Sequence, residues 1–219
     1  EEVIKKINPK ILLIEKPIAI SMKESLKVES LCKSKPELKV FVNYGRRYLP
    51  LIKKWSKIID SGKIGKFLYG NIIYGKGILT NGSHFLNLAQ LWIKNLEHLK
   101  TYNNGKTFFD FDKEISFMLE CKKNNSLLGV HSIARNNLRA GELDLWFEGG
   151  RLSWINNGKS LYFWPRLSSK SPIETHDSLS EIPEIYSTNS EKSQYFVVDS
   201  IQNIFCNNNV NGNYYCTLN

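Results

Sequence analysis

Three short stretches put proton-handling or anion-binding side chains at places where the chain changes direction. Glu15-Lys16-Pro17 follows the apolar run ILLI. If that run is a buried parallel strand, its carboxyl end opens on the crevice where α/β sheets hold ligands. A lysine placed there can assist proton transfer or polarise an oxygen. The plainer reading is a salt-linked strand end before a proline breaker, and an X-Pro bond is the one kind that takes the cis form cheaply. Asn43-Tyr44-Gly45-Arg46-Arg47 closes a second strand-like run. Paired guanidiniums can receive a carboxylate, a phosphate or a row of sugar hydroxyls, or they can simply flank Tyr48 at the surface. Thr80-Asn81-Gly82-Ser83-His84 opens a helix that continues through Asn87. Small polar residues before a helix leave backbone N–H groups turned toward anions or developing negative charge, and a histidine there can accept or return a proton near neutral pH. The alternative is a helix cap with a hydrogen-bonded histidine.

The elements that would carry these residues change in style along the chain. Residues 1–8 read as the end of a helix, ILLIEKPIA as a continuously buried parallel strand, and KVFVNY at 39–44 as the next strand. Between them Ser21 with Glu24 forms an S-x-x-E capping box ahead of a helix with apolar positions at Leu26, Val28, Leu31 and Cys32. That is one βαβ unit. An amphipathic helix is predicted over 50–61, a strand over 67–77 and a helix over 83–95 with His84 and Asn87 opposite its apolar stripe. From Lys106 onward the period is two, in TFFDFD, ISFMLEC, SLLGVHSIA, GELDLWF, GRLSWIN and KSLYFWP, broken by Asn- and Gly-rich turns. These strands predict an antiparallel sheet with one apolar and one more polar face. Residues 168–192 read as an extended loop, and a last helix begins near Tyr195.

Composition narrows the function classes. The 219 residues are 42% hydrophobic and 23% charged, enough for a real core and too apolar for a disordered chain. Thirty basic against 21 acidic side chains give +9, yet the lysines are scattered and only six residues are arginine. A nucleic-acid groove would cluster them with aromatics, so no nucleic-acid partner is expected. No apolar run is long enough for a transmembrane helix, so no membrane partner is expected either. The four cysteines have no C-x-x-C pair or metal-ligand spacing, and the four histidines form no short metal motif. Reduced cysteines and a cytoplasmic protein without a metal are the simplest account.

In this order and approximate spacing, ILLIEKPIA, NYGRRYLP, SGKIGK and GILTNGSHFLNLAQLW resemble the glucose-fructose oxidoreductase, inositol dehydrogenase and rhizopine-catabolism family, Gfo/Idh/MocA. The resemblance implies a partial Rossmann-type parallel sheet over 1–45, followed over 46–219 by a substrate-binding α/β domain whose large, open, mainly antiparallel sheet mediates homo-oligomerisation. It implies NAD or NADP as cofactor and a sugar or nucleotide sugar as substrate. Lys16 would sit between nicotinamide and substrate, with Glu15 and Pro17 positioning it on the cofactor side. His84 would face the reacting hydroxyl carbon, and Arg46, Arg47, Thr80, Asn81 and Asn87 would lie toward the substrate.

Two departures matter. The family often has acids four residues before the histidine and three after it, where this chain has Thr80 and Asn87. There is also no G-x-G-x-x-G in the sequence, because Gly75 and Gly77 lie past the first domain. The expectation is therefore a chain that opens part-way through its dinucleotide-binding domain and alone binds the cofactor poorly. Two other classes remain: a non-catalytic carbohydrate-binding or scaffold protein of the same fold, and an oligomerisation unit that buries the Phe117, Trp146 and Trp154 region.

Overall fold

The computed structural model describes residues 2–103, 105–109, 111–133, 140–169, 176–188 and 192–207. The chain begins with α1 (Glu2–Ile7), β1 (Ile11–Ile14), α2 (Met22–Lys33) and β2 (Lys39–Val42). β1 and β2 pair in parallel, Ile11 opposite Lys39 and Ile14 opposite Val42. The crossover helix starts where the capping box places it. Ser21 holds extended backbone and its hydroxyl accepts from the Glu24 N–H at 3.3 Å, satisfying one of the amides a helix start leaves unpaired. Ile4, Cys32, Leu38 and Val40 make a small core of their own. β1 is shorter than the predicted 11–19 strand, and Pro17 has no N–H with which to continue a ladder. The Lys16-Pro17 peptide is cis.

A 3₁₀ turn, Gly45–Tyr48, leads into α3 (Pro50–Asp60), with proline at a helix start where its missing N–H is no loss. β3 (Phe67–Tyr74) follows, then a single π-helical turn (Ile78–Gly82) that runs straight into α4 (Ser83–Trp92). The strands after it are β4 (Leu96–Asn103), β5 (Thr107–Phe109), β6 (Asp112–Lys113), β7 (Ser116–Cys121), β8 (Ser126–Ser132), β9 (Gly141–Phe147), β10 (Gly150–Ile155), β11 (Ser160–Leu167), β12 (Ser178–Leu179) and β13 (Glu184–Ser187). The last element is α5 (Ser193–Asn207). Nine strands form one sheet in the order β12-β11-β10-β9-β3-β8-β7-β4, with β13 also paired to β11. Every pair is antiparallel except β3 with β8. Thus a small parallel sheet precedes a large, open, mostly antiparallel one. None of the described helices is long and apolar enough to cross a membrane.

Period-two alternation explains the large sheet's two faces. Leu143, Leu145 and Phe147 of β9, Leu152 and Trp154 of β10, and Leu161 and Phe163 of β11 are buried in one core with Ile52 and Trp55 of α3 and Phe85 and Leu88 of α4. The opposite face carries Trp146, Arg151 and Trp164, with the Arg151 guanidinium 5.3 Å from one ring and 5.0 Å from the other. Phe117, Trp146 and Trp154 consequently do not form one association surface. Phe117 and Trp154 are buried, and of the three only Trp146 lies on the open face.

Other boundaries also differ. The 168–192 stretch contains β12 and β13, which hydrogen-bond to β11 and so turn a composition that looks loop-like into sheet. β4 pairs with β7 although its side chains are largely exposed, which removes the apolar signal that would reveal a strand. TFFDFD is not a strand of the large sheet: β5 and β6 form a separate hairpin with Asp112 at its return. Cys206 and Cys216 lie outside the described side chains.

Candidate active site

The site is built where both parallel strands end. Beyond β2, the Asn43 N–H extends the ladder to Ile14 O at 2.8 Å, which fixes Asn43 beside Glu15. The Asn43 amide then donates to Glu15 Oε1 at 2.5 Å and to Gln194 Oε1 at 3.2 Å. One side chain therefore ties the small sheet to the first turn of α5.

Lys16 crosses from the small sheet to the π-helical turn. Its Nζ donates to Thr80 O and lies 3.5 Å from Leu79 O. The same turn is held from behind by Asp112, which is fully buried and whose two oxygens accept from Leu79 N–H at 2.8 Å and Thr80 N–H at 2.7 Å. Negative charge at those amides is favourable because they begin a helical segment. Gly77 makes room for the carboxylate: its φ is +76°, and a Cβ would stand 2.1 Å from Asp112 Oδ2. Gly77→Ala is expected to cost about 2–4 kcal/mol through left-handed strain and displacement of a buried carboxylate. Urea denaturation checks this, and a loss under about 1 kcal/mol would show that the turn is looser than described.

His84 occupies the second residue of α4 and meets Tyr44 edge-on, with ring centroids 5.8 Å apart. Arg46 stacks over Phe85 at 4.6 Å and over Trp154 at 5.4 Å while donating to Asn157 O at 3.3 Å. The β10–β11 turn, in which Asn156 and Asn157 take positive φ as asparagine readily does, carries Lys159 to the same place. Behind the turn that holds Lys16, burial pushes the Tyr74 hydroxyl above its ordinary range; the hydroxyl donates to Ile115 O at 2.6 Å.

Glu15, Lys16, Asn43, Arg46, His84 and Lys159 are among the residues that border a cavity of about 510 Å³. Of the residues read from sequence, Glu15, Lys16, Arg46 and His84 lie on its wall. Pro17, Arg47, Thr80, Asn81 and Asn87 do not. Arg47 and Asn87 are buried. The Asn81 amide donates to Gly75 O at 2.9 Å and Ala140 O at 2.6 Å, bracing the exits of β3 and the start of β9, while Thr80 contributes its backbone. Sequence reading gave no role to Asn43, although it opens the stretch that carries Arg46, and missed Gln194, which lacks a motif of its own, as well as Lys159 and Asp112. For Lys159 the Asn-Asn-Gly turn was a signal. For Asp112 the signal was an acid interrupting an aromatic run.

Such a wall can hold a polar ligand against a lysine and a histidine, with acceptors at Glu15 and Asn43 and cations at Arg46 and Lys159. No family model and no curated protein sequence matches the chain. Solved structures do. An inositol dehydrogenase homolog from Azotobacter vinelandii, complexed with NAD+, aligns with a TM-score of 0.67 at 13% identity over 94% of this chain and 65% of its own. A 3-ketoreductase from Actinomadura kijaniata, in complex with NADP, gives 0.62 at 12% identity over 89% and 61%. A super-repressor mutant of Gal80p from Saccharomyces cerevisiae gives 0.69 at 13% identity over 94% and 62%. The chain has the Gfo/Idh/MocA fold. It spans less than two thirds of the length of each of these three proteins. Within the Gfo/Idh/MocA fold as this chain shows it, the cavity lies between the small parallel sheet and the large domain, walled by the carboxyl ends of β1 and β2 on one side and by α4, α5 and the β10–β11 turn on the other.

Proposed function

We propose that this chain belongs to an NAD(P)-dependent oxidoreductase that transfers hydride between the cofactor and a secondary hydroxyl carbon of a sugar or nucleotide sugar. Residues 1–45 would be the C-terminal portion of the dinucleotide-binding domain and 46–219 the substrate-binding and oligomerisation domain. The observation that carries the reading is the meeting of Lys16 and His84, from distant parts of the sequence, on one polar cavity at the ends of parallel strands. Neighbours of the same fold described with NAD+ or NADP support the cofactor class.

The residues present fit the nicotinamide end of such a cofactor. Asn43 Oδ1 is buried and has no hydrogen-bond partner among the described residues, so it offers an acceptor to a carboxamide or hydroxyl donor. Glu15 and Lys16 would stand beside it. When bound, the nicotinamide accepts or returns the hydride. The chain's own task is the proton. As the alcohol becomes a carbonyl, its hydroxyl proton passes to Lys16 or His84, and the other group hydrogen-bonds the oxygen. In the reverse direction the same group returns that proton.

Arg46 and Lys159 give the cavity more positive than negative charge, which favours the nucleotide sugar over a neutral one. Lys159→Gln is expected to raise KM for a nucleotide sugar about three- to fivefold, the value of an exposed charge contact, and to leave a neutral sugar unchanged. Equal effects on both would remove Lys159 from substrate selection. The open face, with Tyr69, Ile73 and Trp146 exposed, is suited to homo-oligomerisation.

A second reading is a binding or regulatory protein without turnover. It is favoured by Thr80 and Asn87, which are not acids, and by a neighbour described as a repressor. The intact protein assayed with both dinucleotides against a sugar and nucleotide-sugar panel separates the two. Reduced-nicotinamide absorbance that rises with substrate supports the oxidoreductase; dinucleotide binding without turnover supports the regulator.

A further inference from the structure

Lys16 and Asp112 touch the two ends of the same peptide group. The Leu79–Thr80 peptide presents its carbonyl to Lys16 Nζ at 3.5 Å and its N–H to Asp112 Oδ2 at 2.7 Å. The neighbouring peptide N–H, that of Leu79, is held by Asp112 Oδ1 at 2.8 Å, and the Thr80 carbonyl completes the seat of the ammonium. A carboxylate on the N–H side polarises the amide and makes its carbonyl a stronger acceptor, an effect that is large where water is excluded. Water is excluded here, since Asp112 is fully buried and packed against Gly77.

We propose that Asp112 is the positioning residue of Lys16 and its counter-charge, acting through the Leu79–Thr80 peptide. The chain has no acid at position 80 or 87. A carboxylate from the β5–β6 hairpin, remote in sequence, supplies negative charge to that turn from its far side. The arrangement orients the ammonium through the carbonyls of the turn, and the lysine keeps a face toward the cavity. Glu114, on the same hairpin, does something different: its Oε1 accepts from Lys76 N–H at 2.8 Å.

The charged and titratable groups around the pair are Glu15 from the end of β1, Arg46 from the 3₁₀ turn, His84 from α4, and Lys159 from the β10–β11 turn. Behind it stand Glu114 and Tyr74, and the Tyr74 hydroxyl feels the charges of both Glu114 and Asp112. Glu15 is engaged by Asn43 and Arg46 by Asn157, so Asp112 is the carboxylate bonded directly to the turn that seats Lys16. A buried carboxylate bonded to the turn that seats the ammonium favours the charged lysine and raises its titration midpoint, and its removal lowers it.

The proposal rests on the reading of Lys16 as a proton-handling group for its consequence, but its test needs no turnover. Carbon-detected NMR of the intact protein, labelled at lysine Cε and at the Leu79 carbonyl, follows Lys16 through its titration. In the unaltered protein the Leu79 carbonyl resonance moves with the same midpoint as Lys16 Cε. Asp112→Asn lowers that midpoint by about one pH unit, whereas Glu114→Gln, which also removes a buried carboxylate from the hairpin, shifts it by less than half as much. A Leu79 carbonyl that ignores the Lys16 titration overturns the proposal even if Asp112→Asn fails to fold. A folded Asp112→Asn with an unchanged midpoint does the same. An inactive protein that nevertheless shows the coupled titration would reject the proposed function and leave the positioning role standing.

Discussion

Replacing Lys16 by alanine in the intact protein is expected to lower kcat by about 10²–10⁴-fold, the usual weight of a positioned acid–base group, while dinucleotide affinity changes by less than about threefold. The split follows from where Lys16 binds. Its Nζ contacts backbone carbonyls of the large domain's π-helical turn and borders the cavity shared with His84. The dinucleotide's phosphates would gain nothing from it. Steady-state kinetics and dinucleotide titration read the two quantities separately. Parallel loss of both would make Lys16 a structural or cofactor-holding residue, and retention of kcat would move the proton chemistry to His84 alone.

The largest effect on stability is expected at Trp154. Its side chain is fully buried, tilts against Phe85 with centroids 5.8 Å apart, and lies under the Arg46 guanidinium. Gly158 packs on its other edge, where a Cβ would approach the indole to 2.5 Å. Trp154→Ala removes the floor from three elements at once: β10, α4 and the turn that bears Lys159. The cost should be about 3–5 kcal/mol, the range for deleting a large aromatic from a core that cannot collapse. Trp154→Phe should cost much less, because it keeps a ring under Arg46. Urea denaturation of both variants checks this, and a loss below about 1 kcal/mol for the alanine would contradict the packing described.

What was readable in the sequence was what local chemistry determines. The capping box at Ser21, the proline after β1, the amphipathic pattern of α3 and the alternation through β7 to β11 all fix structure within a few residues of themselves. Glu15, Lys16, Arg46 and His84 could be found because each stands at an element's end. The missed features depend on contacts far away in the chain. Asp112 is buried beneath Gly77 and bonded to Leu79 and Thr80, yet in sequence only its interruption of an aromatic run separates it from a surface acid at a hairpin. β4 and β13 are recruited by neighbouring strands and carry little apolar pattern of their own. Asn81 shows the converse: its place before a helix suggested a ligand, and the exit of β3 and the start of β9 took its amide hydrogens instead.

The central claim is that this site handles the proton of a hydride transfer. Its most direct test is isotopic: the intact protein is mixed with oxidised dinucleotide and sugars or nucleotide sugars deuterated at each secondary carbinol carbon, and the nicotinamide is examined by NMR. The account predicts deuterium at the nicotinamide C4 from one substrate position, and near loss of that transfer in Lys16→Ala. Bound dinucleotide that acquires no deuterium from any member of the panel would contradict it.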